Sequence, residues 1–195
     1  MQYPKGDPLM HRFEHPQTVL LPAHVRLKAQ AYAVAVRGTV NYADSGQVSP
    51  KVRGDHLTGK LGEEAVRLVY QSFGVAVDGP DYQIYSRAKK SWAADLTVSE
   101  TALHVKTQTT KAALLYGLSW MFQDAATRSD ATLTQAEDWV SFVLLDEDNL
   151  RARVFPPQQI SDLRFSPPML EHLRGKKQVV YAREQRWFRQ EWASL

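Results

Sequence analysis

The stretch from Asp95 to Gln108, Asp-Leu-Thr-Val-Ser-Glu-Thr-Ala-Leu-His-Val-Lys-Thr-Gln, narrows the folds open to this chain more than any other. Trp92 to Val98 and Ala102 to Thr107 are rich in β-branched and apolar residues, and Ser99-Glu100-Thr101 between them is turn-like. The reading is a hairpin, with Asp95 on its first strand. On the second strand side chains alternate, so His104, Lys106 and Gln108 share one face and Leu103, Val105 and Thr107 the other. Such a strand is commonly half-exposed, with its lysine merely solvated. The other reading, a working polar constellation, draws on the helix about thirty residues earlier that carries Glu63 and Glu64, and on the apolar stretch that follows.

Around this hairpin the patterns place further elements. Residues 1 to about 21 are punctuated by Pro4, Pro8 and Pro16 and read as an extended arm. Val25, Ala29, Tyr32, Ala33 and Val36 recur at helical spacing after Pro22, with Gly38 as C-cap. A strand from Ala31 to Arg37 competes, and the alanine content favours the helix. Residues 39–58 have a loop composition and carry Lys51, Arg53 and His56. Thr58 is positioned to cap a helix whose apolar stripe is Leu61, Ala65, Leu68, Val69 and Phe73, ended by Gly74. Asp81 to Ser86 reads as a strand, followed by the basic turn Arg87-Ala-Lys89-Lys90.

Thr110 to Phe122, with Lys111 near its start, is apolar around most of a helical circumference, so it is core or an interface. Asp124 to Asp138 is polar and loop-rich. Trp139 to Leu145 is a buried strand by length and β-branching, Asp146 to Asn149 turns it, and Leu150 to Phe155 returns before Pro156-Pro157. The whole is an α/β (α+β) arrangement, a mixed sheet flanked by helices. Segment 1–58 is an arm and helix, 59–160 the core and 161–195 a basic extension, within one compact domain.

Composition bears on function mainly by exclusion. With no cysteine, disulfides, thiolate catalysis and Cys-ligated zinc are out, and any metal is held by oxygen or imidazole. No apolar run reaches membrane-spanning length and the amino terminus lacks a signal-peptide core, so a cytoplasmic protein is expected. A formal net charge of +3 and a sequence pI near 9.1 permit a polyanionic partner. From Arg164 to Arg189 seven basic residues, Lys176 and Lys177 among them, stand against two acidic ones. Interleaved with Trp187, Phe188 and Trp192, they are either a solvated face or a nucleic-acid clamp. No dinucleotide-binding glycine motif, P-loop, His-Glu-x-x-His or Gly-x-Ser-x-Gly is present. His11 and His15 are separated by Arg12-Phe13-Glu14 and followed by Pro16, a poor zinc pair.

The order of Glu63 on a helix, then Asp95, then His104-Val105-Lys106-Thr107-Gln108 on a strand resembles the PD-(D/E)xK nuclease superfamily, especially its Mrr-like and resolvase-like branches. The likeness covers roughly Gly59 to Ala126. It implies a restriction-endonuclease-like core and a metal-dependent endonuclease of restriction or defence type, using Mg²⁺ or Mn²⁺ on double-stranded DNA. It assigns the metal to Asp95, the Val105 carbonyl, His104 and Glu63, and assigns Lys106 to the attacking water and scissile phosphate. Gln108 would approach the substrate backbone. Lys51, Arg53, Arg87, Lys89, Lys90, Lys111, Lys176 and Lys177 are the candidate phosphate contacts.

His104 departs from the superfamily, standing where Glu, Asp or Gln is usual. Imidazole is a poorer Mg²⁺ ligand than carboxylate and a better one for Mn²⁺ and later metals. It is equally a strand histidine hydrogen-bonded to a neighbour. Glu63 and Glu64 have an ordinary reading too, as first-turn acids complementing the helix dipole, with Glu64 the alternate ligand. Cutting two strands favours a homodimer, with the Lys111 to Phe122 segment as candidate interface. Other readings are a non-catalytic nucleic-acid-binding subunit on the same fold, and a nuclease for branched DNA or RNA.

Overall fold

The computed structural model describes residues 10, 12–36, 49–85, 94–126 and 128–193. Its framework is a mixed sheet. In chain order the elements are β1 (Gln17–Leu20), α1 (Ala23–Ala35), α2 (Ser49–Ser72), β2 (Val77–Asp78), β3 (Leu96–Val98), β4 (Thr101–Thr109), α3 (Thr110–Tyr116), β5 (Ser119–Ala125), β6 (Arg128–Ser129), β7 (Trp139–Asp146), β8 (Arg151–Val154), β9 (Gln158–Gln159) and β10 (Lys177–Tyr181). Seven strands form the main sheet in the order β1-β8-β7-β4-β3-β2, with β9 also paired to β7; β10-β5-β6 form a second, smaller sheet. The β4·β7 pair is parallel and its neighbours in the main sheet are antiparallel.

β7 is buried along nearly its whole length because both of its faces are covered, which its unbroken apolar run anticipates. On one face Val143 and Leu145, with Leu103, Leu96 and Val154 of neighbouring strands, pack against α1 and α2. On the other face Val140, Phe142 and Leu144 pack against Trp120 and Phe122 of β5, Val180 of β10 and the carboxyl-terminal aromatics. The molecule is therefore α/β in three layers, with helices, main sheet and small sheet in that order.

The hairpin of β3 and β4 forms, but its first strand starts at Leu96, so Asp95 lies just before the strand and not on it, and Thr101 belongs to β4; Trp92 and Ala93 lie outside the described residues. Ser99 and Glu100 both take positive φ (46° and 75°), the two-residue turn whose twist matches the strands. α1 is a helix and not a strand, burying Val25, Ala29 and Ala33.

Several expectations are corrected. The described part of the proline-punctuated arm, Met10 and residues 12–21, is part of the core: β1 pairs with β8, and Met10, Phe13 and Leu21 are buried; Pro4 and Pro8 lie outside the described residues. Residues 49–58 are the first turns of α2, not loop; Pro50 sits in the first turn, where its missing N–H costs nothing. Thr58, read as a cap, is within the helix and donates its hydroxyl to Glu147 at 2.7 Å. Residues 81–85 run without regular structure where a strand was expected. The helix expected over Thr110 to Phe122 stops at Tyr116; Gly117 turns the chain with φ 73°, and the rest is β5, alternating buried Trp120, exposed Met121 and buried Phe122. Trp187, Phe188 and Trp192 pack into the second apolar cluster, Trp187 stacking on Phe142 at 5.6 Å, so these rings serve the core of the fold. Among the described residues no helix is long and apolar enough to cross a membrane.

Candidate functional site

β3 pairs with β4 only from Thr101 to Leu103, so from His104 onward β4 parts from its neighbour on that side. Asp95, the residue just before β3, bridges the opening: its Oδ2 accepts the Val105 N–H at 2.8 Å. Within a strand a residue's N–H and C=O point to the same side, so the Val105 carbonyl faces the same opening. Gly79 fixes Asp95 from behind. With φ 99° it lies so close that a Cβ there would stand 2.9 Å from the Asp95 carbonyl oxygen.

α2 brings Glu63 to this place because Gly62 lets the helix backbone press onto β4. A Cβ on Gly62 would fall 1.8 Å from Thr107 Oγ1, a hydroxyl buried without a hydrogen-bond partner. Glu63 is 7% exposed. Burial, and next the negative charge of Asp95, push its carboxyl up to about 8, while Lys60 one turn earlier pulls the other way through an ion pair at 2.5 Å. The opposing cation does not win, since desolvation and a like charge act together on a group with little access to water.

Glu64, the alternate, is engaged elsewhere. Its carboxylate accepts from Arg67 at 2.7 Å and from the Tyr82 hydroxyl at 3.0 Å. Tyr82 belongs to the irregular segment after β2, and burial with the charge and hydrogen bond of Glu64 raises its phenol. Tyr32 of α1 meets Tyr82 edge-on at 5.5 Å, and Lys60 lies 5.2 Å and 5.6 Å from the two ring centres. An aromatic wall thus stands beside the acidic pair. Of these residues sequence reading missed Lys60, Tyr32 and Tyr82 as neighbours of the site; the i, i+3 spacing of Lys60 and Glu63 was the available signal.

The remaining motif positions leave β4 on the other face. Lys106 is ion-paired with Asp130 and lies 4.7 Å over the Phe122 ring. Asp130 is pushed up by burial, but the Lys106 pair and the Thr132 hydrogen bonds outweigh that and hold its carboxyl below the ordinary value. His104 reaches across to the start of β7, its Nε2 3.0 Å from Asp138 Oδ2. Gln108 clamps the turn into β5, donating to the Gly117 carbonyl at 3.0 Å and accepting the Ser119 N–H at 2.9 Å. The structure therefore brings Glu63, Asp95 and Val105 together; the partners of His104, Lys106 and Gln108 lie elsewhere. The hydrogen-bonded strand histidine is the reading of His104 that the geometry meets.

Among the described residues no three His, Asp or Glu side chains converge as a metal cluster. Two carboxylates and a backbone carbonyl are nevertheless an all-oxygen donor set, of the kind Mg²⁺ uses when waters and substrate phosphate complete its shell. A divalent cation also answers the repulsion that burial imposes on Glu63 and Asp95. The residues fit Mg²⁺ or Mn²⁺, without His104.

Of the candidate phosphate contacts, Arg87, Lys89 and Lys90 lie outside the described residues, and Lys51 is on the first turn of α2. Arg53 is exposed on α2. Lys111 is paired at the surface with Asp148 at 3.0 Å. Lys176 and Lys177 sit where β10 begins. Compared with known proteins, the chain matches no family model, no curated protein and no solved structure.

Proposed function

We propose that this protein is a divalent-metal-dependent endonuclease hydrolysing DNA phosphodiester bonds, a restriction or defence-type enzyme with a restriction-endonuclease-like core. The observation that carries the reading is the buried Glu63 set against Asp95 where β3 and β4 part. A structural helix gains nothing from pressing a carboxylate, against its own desolvation, toward a second one. Glu63, Asp95 and the Val105 carbonyl would hold Mg²⁺ or Mn²⁺. When bound, such an ion would supply positive charge to the scissile phosphate and make a water more acidic near neutral pH. Asp95 is oriented for this by the Val105 N–H, and Glu63 by the close seat of α2 on β4. Contacts along the DNA would come from Arg53, Lys176 and Lys177, in a cytoplasmic homodimer that cuts both strands.

A second reading is favoured by one observation: Lys106 and His104, the positions the resemblance makes catalytic, are tied to Asp130 and Asp138. That reading is a nucleic-acid-binding subunit without cleavage. Supercoiled plasmid incubated with Mg²⁺ or Mn²⁺ separates the two. The nuclease reading expects nicking and linearisation by the parent, and loss of at least about a hundredfold in rate for Asp95→Asn and Glu63→Gln, with DNA binding kept. Salt-sensitive binding with no cutting by any of the three proteins would sink it and favour the subunit.

A further inference from the structure

Lys60 is the cation that the described residues place against Glu63. Its ammonium lies 2.5 Å from Glu63 Oε2, both side chains almost withdrawn from solvent. The other nearby cations are committed: Arg67 is 2.6 Å from Glu64, and Lys28 lies 3.9 Å over the Tyr82 ring. Lys106 is fastened to Asp130 on the far face of the sheet. Lys60 also has somewhere to go, because the Tyr32 and Tyr82 rings already stand within cation–π range of it.

We propose that Lys60 is the exchangeable counter-ion of this site: it pairs with the ionised Glu63 carboxylate when no metal is bound, and a divalent cation displaces it toward Tyr32 and Tyr82. This rests on the metal-binding reading of Glu63 and Asp95. Displaced, the ammonium remains beside the cation and supplies the counter-charge that the resemblance would assign to Lys106. Two positive charges at the Glu63 carboxylate repel strongly in a pocket with little water, so binding of the metal and release of Lys60 are coupled.

The test is Mg²⁺ titrated against thermal unfolding at about pH 9, where protons compete little for Glu63, with the parent, Lys60→Met, Lys60→Arg and Lys106→Met. Without its competitor the site in Lys60→Met should bind Mg²⁺ about fivefold or more tighter, while Lys60→Arg and Lys106→Met stay within about twofold of the parent. Unchanged or weaker binding by Lys60→Met, or an equal gain in Lys106→Met, overturns the proposal while leaving the metal site standing. No stabilisation of the parent or any variant by Mg²⁺ overturns the metal site and the proposal together. In the parent itself, Mg²⁺ should move the Lys60 ε-methylene resonance and leave that of Lys106 in place. An unmoved Lys60 signal with saturating Mg²⁺ contradicts displacement even if Lys60→Met fails to fold.

Discussion

Glu63 and Asp130 make opposite contributions to stability, because the fold protonates one more readily and the other less readily than the unfolded chain does. Glu63 is raised from 4.5 to about 8, so the folded protein holds an extra proton between those values. Its contribution is complete below about 4.5 and is lost as pH rises toward 8. Asp130 is held below 3.8, so its contribution is present above that value and is lost as pH falls. Metal-free protein should therefore be most stable near about pH 5, declining by on the order of 1 kcal/mol or more by pH 8. Urea unfolding across pH in the presence of chelator checks this. Glu63→Gln should remove the alkaline decline, and a decline that persists in that variant assigns it to another group. Mg²⁺ should flatten it in the parent. A companion expectation concerns His104: because its ring is committed to Asp138, His104→Ala should leave the preference between Mg²⁺ and Mn²⁺ unchanged in Tm-shift titrations. A swing toward Mg²⁺ would restore it as a ligand.

α2 is where glycine positions tell most about how the site is built. Gly54 and Gly59 have nothing within 4 Å of an added Cβ, whereas Gly62 would meet Thr107. Gly54→Ala and Gly59→Ala should each stabilise by roughly 0.5–1 kcal/mol through helix propensity. Gly62→Ala should cost about 1–3 kcal/mol by overpacking, and part of that should return in Gly62→Ala with Thr107→Ala. If Gly62→Ala stabilised like the others in thermal unfolding, α2 would not sit on β4 as described. These same glycines explain why the helix was only partly legible. Pro50, Gly54 and Gly59 have the composition of a loop, and only the stripe from Leu61 to Val69 declares a helix; tertiary packing carries the periodicity backward to Ser49. The hairpin and β7 were legible because turn chemistry and β-branching agree with the burial they receive. The stretch after Thr110 was not. An apolar run that is helix to Tyr116 and strand from Ser119 shows one uniform composition, and Gly117 alone marks the change. At the candidate site, the resemblance pointed to Glu63, Asp95 and Val105, which the fold brings near one another, but the meeting of β4 with α2 was not legible. Which side of the strand meets α2 depends on Gly62 fitting Thr107, a contact between elements that no local pattern encodes.

At the scale of the molecule, described residues from both terminal segments belong to the cores that the site depends on, Met10 and Phe13 on one side of the main sheet and Trp187 and Trp192 on the other. His15 meets Trp192 edge-on at 6.1 Å, and the Trp192 carbonyl accepts from Arg153 Nη1 at 3.1 Å on β8. Trp187 and Phe188 cover Phe142 and Phe155, which lie on the face of the sheet that also carries Lys106. Removing residues 187–195 uncovers these apolar surfaces. At about 1.5–3 kcal/mol for each large side chain, the loss of three is comparable to the whole net stability of a domain this size. The truncated protein should lose its near-ultraviolet aromatic dichroism and bind a hydrophobic dye, failing in DNA binding because it fails to fold. Lys176→Glu should behave differently: native dichroism and unfolding midpoint at this exposed position, and, on the nuclease proposal, weaker DNA binding with a shallower dependence on salt. The pair of measurements separates what the basic carboxyl-terminal third does by packing from what it does by charge. A truncated chain that kept its dichroism and cooperative unfolding while losing only DNA affinity would mean that the aromatics serve recognition after all.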